Sequence, residues 1–150
     1  MSALVWRALP FAALSTSELY AVLQLRTEVF VVEQACVFQD MDGSDNKAVH
    51  VLGMSGDELV AYARCFPASI KFAEASIGRV ITRMSARGTS LGHELMRQAI
   101  TCVTQQWGPQ PIRIGAQARL EKFYRRHGFV TAGAPYIEDG IPHIEMLRTI

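Results

Sequence analysis

The stretch Arg87–Met96, "RGTSLGHELM", decides how the chain is read. Before it stands "ASIGRVIT" (Ala75–Thr82), rich in β-branched residues, which predicts a strand. After it, Leu91, Leu95, Met96, Ala99 and Val103 recur on one helical face, and "WGPQP" closes that helix. The turn between them carries Arg87, Gly88 and Gly92, with Ser90 between the glycines. The first N–H groups of a helix have no intrahelical acceptor, and the helix dipole adds partial positive charge there. A glycine-bearing turn lets that backbone approach a diphosphate closely, and Arg87 adds a full charge. Ser90 keeps its N–H but brings a Cβ, which crowds any position that needs positive φ. Its hydroxyl can offset this by binding a phosphate oxygen or by capping the helix. By itself the turn has two readings, a phosphate cradle or an ordinary strand-to-helix junction, because Gly, Ser and Thr are common before any helix.

Working outward, Leu4–Leu9 predicts a first strand, closed by Pro10. "STSE" (Ser15 to Glu18) is a capping box that opens a helix. Leu19, Val22, Leu23, Arg26, Val29 and Phe30 continue it, and it ends in "VVEQ". "FQDMDGSDNKA" is a turn-rich acidic loop. "VHVLGM" and "ELVAYARCF", separated by "SGD", predict a hairpin. Beyond the central helix, "IRIGAQ" is a short strand, and "ARLEKFYRRHG" a helix stopped by Gly128. The tail "FVTAGAPYIEDGIPHIEMLRTI" predicts two final strands around a loop. The order β-α-β-β-β-α-β-α-β-β, with no repeat or linker, predicts one α/β domain over residues 1–150.

The net charge of +1 and the pI near 7.8 give no general attraction for nucleic acid or membrane surfaces. No apolar run reaches membrane-spanning length, and "MSALVWRALP" is too short and polar for a signal core. Cys36, Cys65 and Cys102 are odd in number and widely spaced, which fits neither a disulfide framework nor a zinc motif. A reducing, cytoplasmic setting is the expectation. Asp40, Asp42 and Asp45 lack the later glutamate of a calcium loop, so no metal is expected. These aspartates, with Glu138 and Asp139, read either as a solvated loop or as a negative rim that draws a cationic acceptor.

A second constellation bears on the turn. "GAQARLEKFYRRHGF" (Gly115 to Phe129) follows the next strand, and its "FYRRHGF" stands after a strand, an "RGxxxG" turn and a helix. This order resembles the GNAT superfamily of N-acetyltransferases, whose cradle reads Arg/Gln-x-x-Gly-x-Gly/Ala. Arg87 and Gly92 match its ends, and Ser90 stands at the middle glycine. "LYAVLQLRTEVFVVEQ", "QDMDGSD", "ELVAYAR", "IGRVIT" and "EDGIPHIEM" extend the likeness over nearly the whole chain, to the ElaA-type branch. In that branch the middle glycine is often absent as well. The resemblance implies a mixed, mostly antiparallel twisted sheet of six to seven strands with helices on both faces. It selects the cradle reading of the turn.

The resemblance also implies acetyl-CoA as co-substrate and a primary amine, on a small molecule or a protein, as acceptor. The pantetheine arm would pair with Val80, Ile81 and Thr82, and the diphosphate would rest on Arg87, Gly88, Thr89, Ser90, Leu91, Gly92 and His93. Gln117 falls where many members carry an asparagine. Direct attack of the amine forms a tetrahedral oxyanion, which a backbone N–H near Val80–Thr82 stabilises. Tyr124 falls on the tyrosine that protonates the departing thiolate. A phenol is protonated at neutral pH and suits that step.

The base is open. The strand before the cradle offers Arg79 and no carboxylate, and Glu33, His50 and His143 are the alternatives, with Glu33 and His143 ranked first. Arg26 and Arg64 read as partners of Glu33 or of the aspartates, or as binders of an acceptor carboxylate. Pairing of two copies through a sheet edge is compatible with the fold. A non-catalytic acyl-CoA-binding module is the competing function. An ATP site is disfavoured because no "GK[ST]" follows the turn.

Overall fold

The computed structural model describes residues 4–150. Strand β1 (Leu4–Pro10) leads into α1 (Thr16–Arg26), followed by the hairpin β2 (Val49–Ser55) and β3 (Glu58–Phe66), then β4 (Ala75–Thr82). Helix α2 (Leu91–Trp107), β5 (Ile112–Gln117), α3 (Glu121–Arg125), β6 (Val130–Thr131), β7 (Tyr136–Glu138) and β8 (Ile141–Arg148) complete the chain. The strands form one sheet in the order β1-β2-β3-β4-β5-β8-β6, with β7 also paired to β8. Every pairing is antiparallel except β4 with β5.

The mixed, mostly antiparallel sheet with helices on both faces is therefore observed, but with eight strands among the described residues rather than six or seven. The excess lies in the tail, where three strands replace the expected two. β6 has two residues and β7 three, too few to establish an alternation of period two.

Each face has its own core. Leu91, Leu95, Met96, Ala99 and Val103 of α2 are all buried, against Val51, Ala63, Ile77 and Ile114. On the other face Val22, Leu25 and Val29 bury against Leu52, Tyr62 and Ile81. Helix α1 starts as its sequence predicts: the Glu18 N–H donates to Ser15 Oγ (3.0 Å) and the Ser15 N–H to Glu18 Oε1 (2.9 Å). Past Arg26 the winding loosens to a π-helix over Thr27–Glu33, closed by Gln34 N–H to Val29 O at 3.2 Å.

Strand β4 changes face midway. Tyr62 and Arg64 of β3 pair with Ile81 and Gly78, so Arg79 and Val80 together oppose the single residue between them. Ile77 consequently joins the α2 core, and Ile81 the α1 core. Arg79 takes the left-handed φ of +49°, a conformation that costs an L side chain about 1–2 kcal/mol. The acidic loop offsets this. Arg79 Nε donates to Asp40 Oδ1 at 2.8 Å, and its guanidinium lies over Phe30 and Phe38.

The reading of Asp40, Asp42 and Asp45 as a negative rim is corrected here. Arg26, fully buried, binds Asp40 and Asp45, while Arg64 binds Asp42 and Asp45 and Lys71 also reaches Asp42. The loop is neutralised by cations from α1, β3 and the β4 bulge, which the buried Asp40 carboxylate requires. Arg26 and Arg64 are spent on it rather than on Glu33 or a substrate carboxylate. His50 is sealed in the same region, with Nε2 to Asp45 O at 2.8 Å and Nδ1 to the Tyr62 hydroxyl. The carbonyl can only accept, so Nε2 carries the proton and Nδ1 accepts from Tyr62.

Among the described residues, no helix is long and apolar enough to cross a membrane, and no group of three His, Cys, Asp or Glu side chains is arranged to hold a metal ion.

Candidate functional site

Strands β4 and β5 pair only at Ala75–Ile112 and Ser76–Arg113. Beyond that they part, because the bulge at Arg79 and Val80 turns β4 while β5 stays bonded to β8 along its full length. The gap is a cleft of about 360 Å³. Ile77–Thr82 forms one wall and Ile114–Gln117 the other, and the end of the π-helix, Gly92 and the α3 aromatics close it.

Of the residues singled out in the sequence, Val80, Ile81, Thr82, Arg87, Gly92, Gln117, Glu33, Tyr124 and His143 all line this cleft. Gly88, Thr89, Ser90, Leu91 and His93 stand beside it at the start of α2. His50 does not reach it, and its place in the buried network removes it from the candidate bases.

The turn is built as a donor array. The first hydrogen bond of α2 runs from Glu94 N–H to Ser90 O at 3.2 Å. Among the described residues the N–H groups of Gly88 through His93 find no protein acceptor. Gly88 has φ +88° and Ser90 φ +61°, so the serine adopts the left-handed conformation that a glycine takes without strain. The Ser90 side chain makes no capping bond, which leaves its hydroxyl free to meet a ligand. A Cβ at Gly92 would stand 3.3 Å from Phe123 Cε1, so a glycine here lets α2 and α3 close up.

The Arg87 side chain lies across the cleft mouth. Nη1 and Nη2 donate to the two Glu33 oxygens at 2.7 and 3.0 Å, and Nε and Nη2 donate to Thr82 O. Glu33 is thus held by an ion pair 54 positions away in sequence, which no local pattern announces.

Tyr124 is 7% exposed and packs its ring edge-on to Phe123 and Phe129. Its hydroxyl has no protein hydrogen-bond partner among the described residues, although the side chain lines the cleft. Burial pushes this hydroxyl up to about 12, against the opposing charge of Arg119. His143 Nδ1 lies 2.7 Å from Ile141 O and must carry the proton there. Nε2 of the neutral ring is then a bare lone pair, 3.7 Å from Glu138 Oε2. Gln117 Nε2 reaches Gln34 Oε1 at 3.3 Å, bridging β5 to the end of the π-helix. Phe30, Gln34, Arg79 and Glu138 also line the cleft. Of these, sequence reading had passed over Phe30 and Gln34 as site residues, since the π-helix that aims them carries no signature of its own.

Residues 15–150 match the acetyltransferase (GNAT) domain family. The protein ElaA of Escherichia coli strain K12 is 46% identical over 147 residues, covering 97% of this chain and 96% of its own. The crystal structure of an acyl-CoA N-acyltransferase from Pseudomonas aeruginosa is 42% identical, with a TM-score of 0.94 over 98% of this chain and 100% of its own. An aminoglycoside 6'-N-acetyltransferase complexed with coenzyme A aligns with a TM-score of 0.72 over 97% of this chain and 96% of its own, and at 14% identity it shares the fold alone.

Proposed function

The chain belongs to the GNAT acetyltransferase family, in its ElaA-type branch, and from that premise we propose that it is an acyl-CoA-dependent N-acyltransferase that acetylates a primary amine. The observation that carries the reading is the run of unbonded N–H groups from Gly88 to His93, at the end of a cleft that also holds Tyr124 and His143. A diphosphate supplies the acceptors those donors lack. Acetyl-CoA contributes the activated acyl carbon that the amine attacks.

The chain's own residues have the remaining tasks. Val80–Thr82 offers an exposed strand edge to the pantetheine arm, as an added strand would use it. The bulge at Arg79 and Val80 leaves backbone unpaired where the sheet opens, and an N–H there suits the oxygen that gains charge. His143 Nε2 accepts the amine proton, and Glu138 steadies the imidazolium that results. Glu33 ranks behind His143 as base because both its oxygens are bound to Arg87. Tyr124, protonated throughout the neutral range, donates to the departing thiolate.

The test is release of free CoA from acetyl-CoA with a panel of amines, covering small molecules and lysine peptides. Turnover on at least one amine is expected, and Tyr124→Phe lowers kcat about 100-fold while CoA affinity holds. Binding without release on every amine, indistinguishable between the wild type and Tyr124→Phe, would instead identify a binding module.

A further inference from the structure

Arg87 is engaged twice in the free chain, and both engagements fall on the path a cofactor would take. A guanidinium carries five N–H donors. Four bonds, two to Glu33 and two to Thr82 O, leave one N–H unused. Thr82 O ends the β4 edge that the pantetheine arm would read. Glu33 ends the π-helix on the opposite side of the same cleft. The side chain therefore ties the phosphate turn to the end of the π-helix and to the end of β4.

The tie is built to exchange. The ion pair is partly exposed, 36% on Arg87 and 26% on Glu33, and a pair in contact with water contributes little net stability. A diphosphate settled on the unbonded N–H groups of residues 88–93 brings two charges to the same guanidinium. It also has the helix dipole on its side, which the Glu33 carboxylate lacks.

Resting on the reading that a CoA diphosphate binds at this turn, we propose that Arg87 and Glu33 form a latch that the cofactor opens. Arg87 leaves Glu33 for the diphosphate and vacates Thr82 O for the pantetheine arm. The freed Glu33 carboxylate then faces the cleft as the counter-charge for a cationic acceptor amine. The free chain, with Glu33 neutralised, offers that amine little.

Calorimetric titration of CoA into four proteins tests this: the wild type, Glu33→Gln, Arg87→Ala and the double variant, each first checked for wild-type urea unfolding. Removing the competitor makes Glu33→Gln bind CoA about three to five times more tightly, the worth of a partly exposed ion pair. Arg87→Ala binds more weakly, and in that background Glu33→Gln changes nothing. In wild-type protein with carboxyl-labelled glutamate, the Glu33 resonance, assigned by its loss in Glu33→Gln, moves along the CoA saturation curve. Weakened Arg87→Ala with no tightening in Glu33→Gln, or a Glu33 resonance that stays still while CoA saturates, overturns the latch and leaves the cradle standing. Arg87→Ala with wild-type affinity overturns the latch and removes the guanidinium from the cradle. No CoA binding by the wild type overturns the cofactor reading itself.

Discussion

Arg26 donates from Nε to Asp40 Oδ2 at 2.9 Å, with the arginine wholly out of water and the aspartate nearly so. The other Asp40 oxygen takes Arg79 Nε at 2.8 Å, so one carboxylate joins helix α1 to the β4 bulge that opens the cleft. Asp40→Asn keeps the shape and removes the charge, leaving a buried arginine with Asp45 as its remaining carboxylate. Breaking a buried pair from one side costs about 3 kcal/mol or more. Urea unfolding at pH 7 should register a loss near that size. A change below about 0.5 kcal/mol, the range of an exposed substitution, would mean that Asp40 does not organise the bulge.

This linkage also marks where sequence reading stops. The capping box Ser15/Glu18, the hairpin around Gly56, and strands β3, β4 and β5 were legible because their signals are local: alternation, caps and turn residues. Tyr124 and the Arg87–Gly92 turn were legible through a resemblance spanning most of the chain. The left-handed Arg79 was not, because nothing adjacent demands it; Asp40, 39 positions away, holds it together with Phe38 of the same loop and Phe30 of the π-helix. The aspartates looked like a surface rim for the same reason. Their pairing is decided by Arg26, Arg64 and Arg79, which arrive from three separate elements.

Stability should fall on acidification in two stages. Burial lowers the pKa of His50, so the folded chain binds fewer protons there than the unfolded chain. A group depressed by folding contributes stability above its unfolded value, about 6.5 for histidine, and loses that contribution as pH drops below it. The second stage belongs to the carboxylates. Hydrogen bonding from Arg64 holds Asp42 well below the usual range, and at Asp45 the bonds and charges of Arg26 and Arg64 outweigh the opposing effect of burial. Their contribution is complete above pH about 4 and is lost progressively below it. Urea midpoints measured from pH 8 to pH 3 should be level above neutrality, decline gently below about 6.5, and decline steeply below about 4. A midpoint that rises between pH 7 and pH 5 would contradict a neutral His50.

Ser90 offers a test of the turn that separates backbone strain from ligand chemistry. Its φ of +61° costs a side-chain-bearing residue about 1–2 kcal/mol. Ser90→Gly removes that strain but adds freedom to the unfolded chain worth up to about 1 kcal/mol, so the two nearly cancel. Unfolding free energy should stay within about 0.5 kcal/mol of wild type, and CoA affinity should be kept, because the N–H remains. Ser90→Val puts a β-branched residue in the left-handed region and should lose about 2 kcal/mol. Calorimetry and urea unfolding on both variants check this. Equal stability of the glycine and valine forms would show that the turn relaxes to another conformation.

Gly92 ties the turn to the proposed acid. A Cβ there would sit 3.3 Å from Phe123 Cε1 and 3.5 Å from Cζ, so Gly92→Ala asks the ring to give by a few tenths of an ångström. That ring stacks on His93, with centroids 4.6 Å apart, and meets the Tyr124 ring at 85°. A displacement of Phe123 therefore reaches Tyr124 directly. In the helix itself alanine is favoured over glycine by up to about 1 kcal/mol, which offsets the crowding. Stability should consequently change by less than about 1 kcal/mol. Catalysis should not be spared: a small misplacement of a reacting group lowers rates severely, and kcat is expected to fall about tenfold with CoA affinity little altered. The variant thus separates two roles for the glycine. If kcat survives while the helix gains stability, the close approach of α2 and α3 is mere packing, and the orientation of Tyr124 is fixed by Phe129 instead.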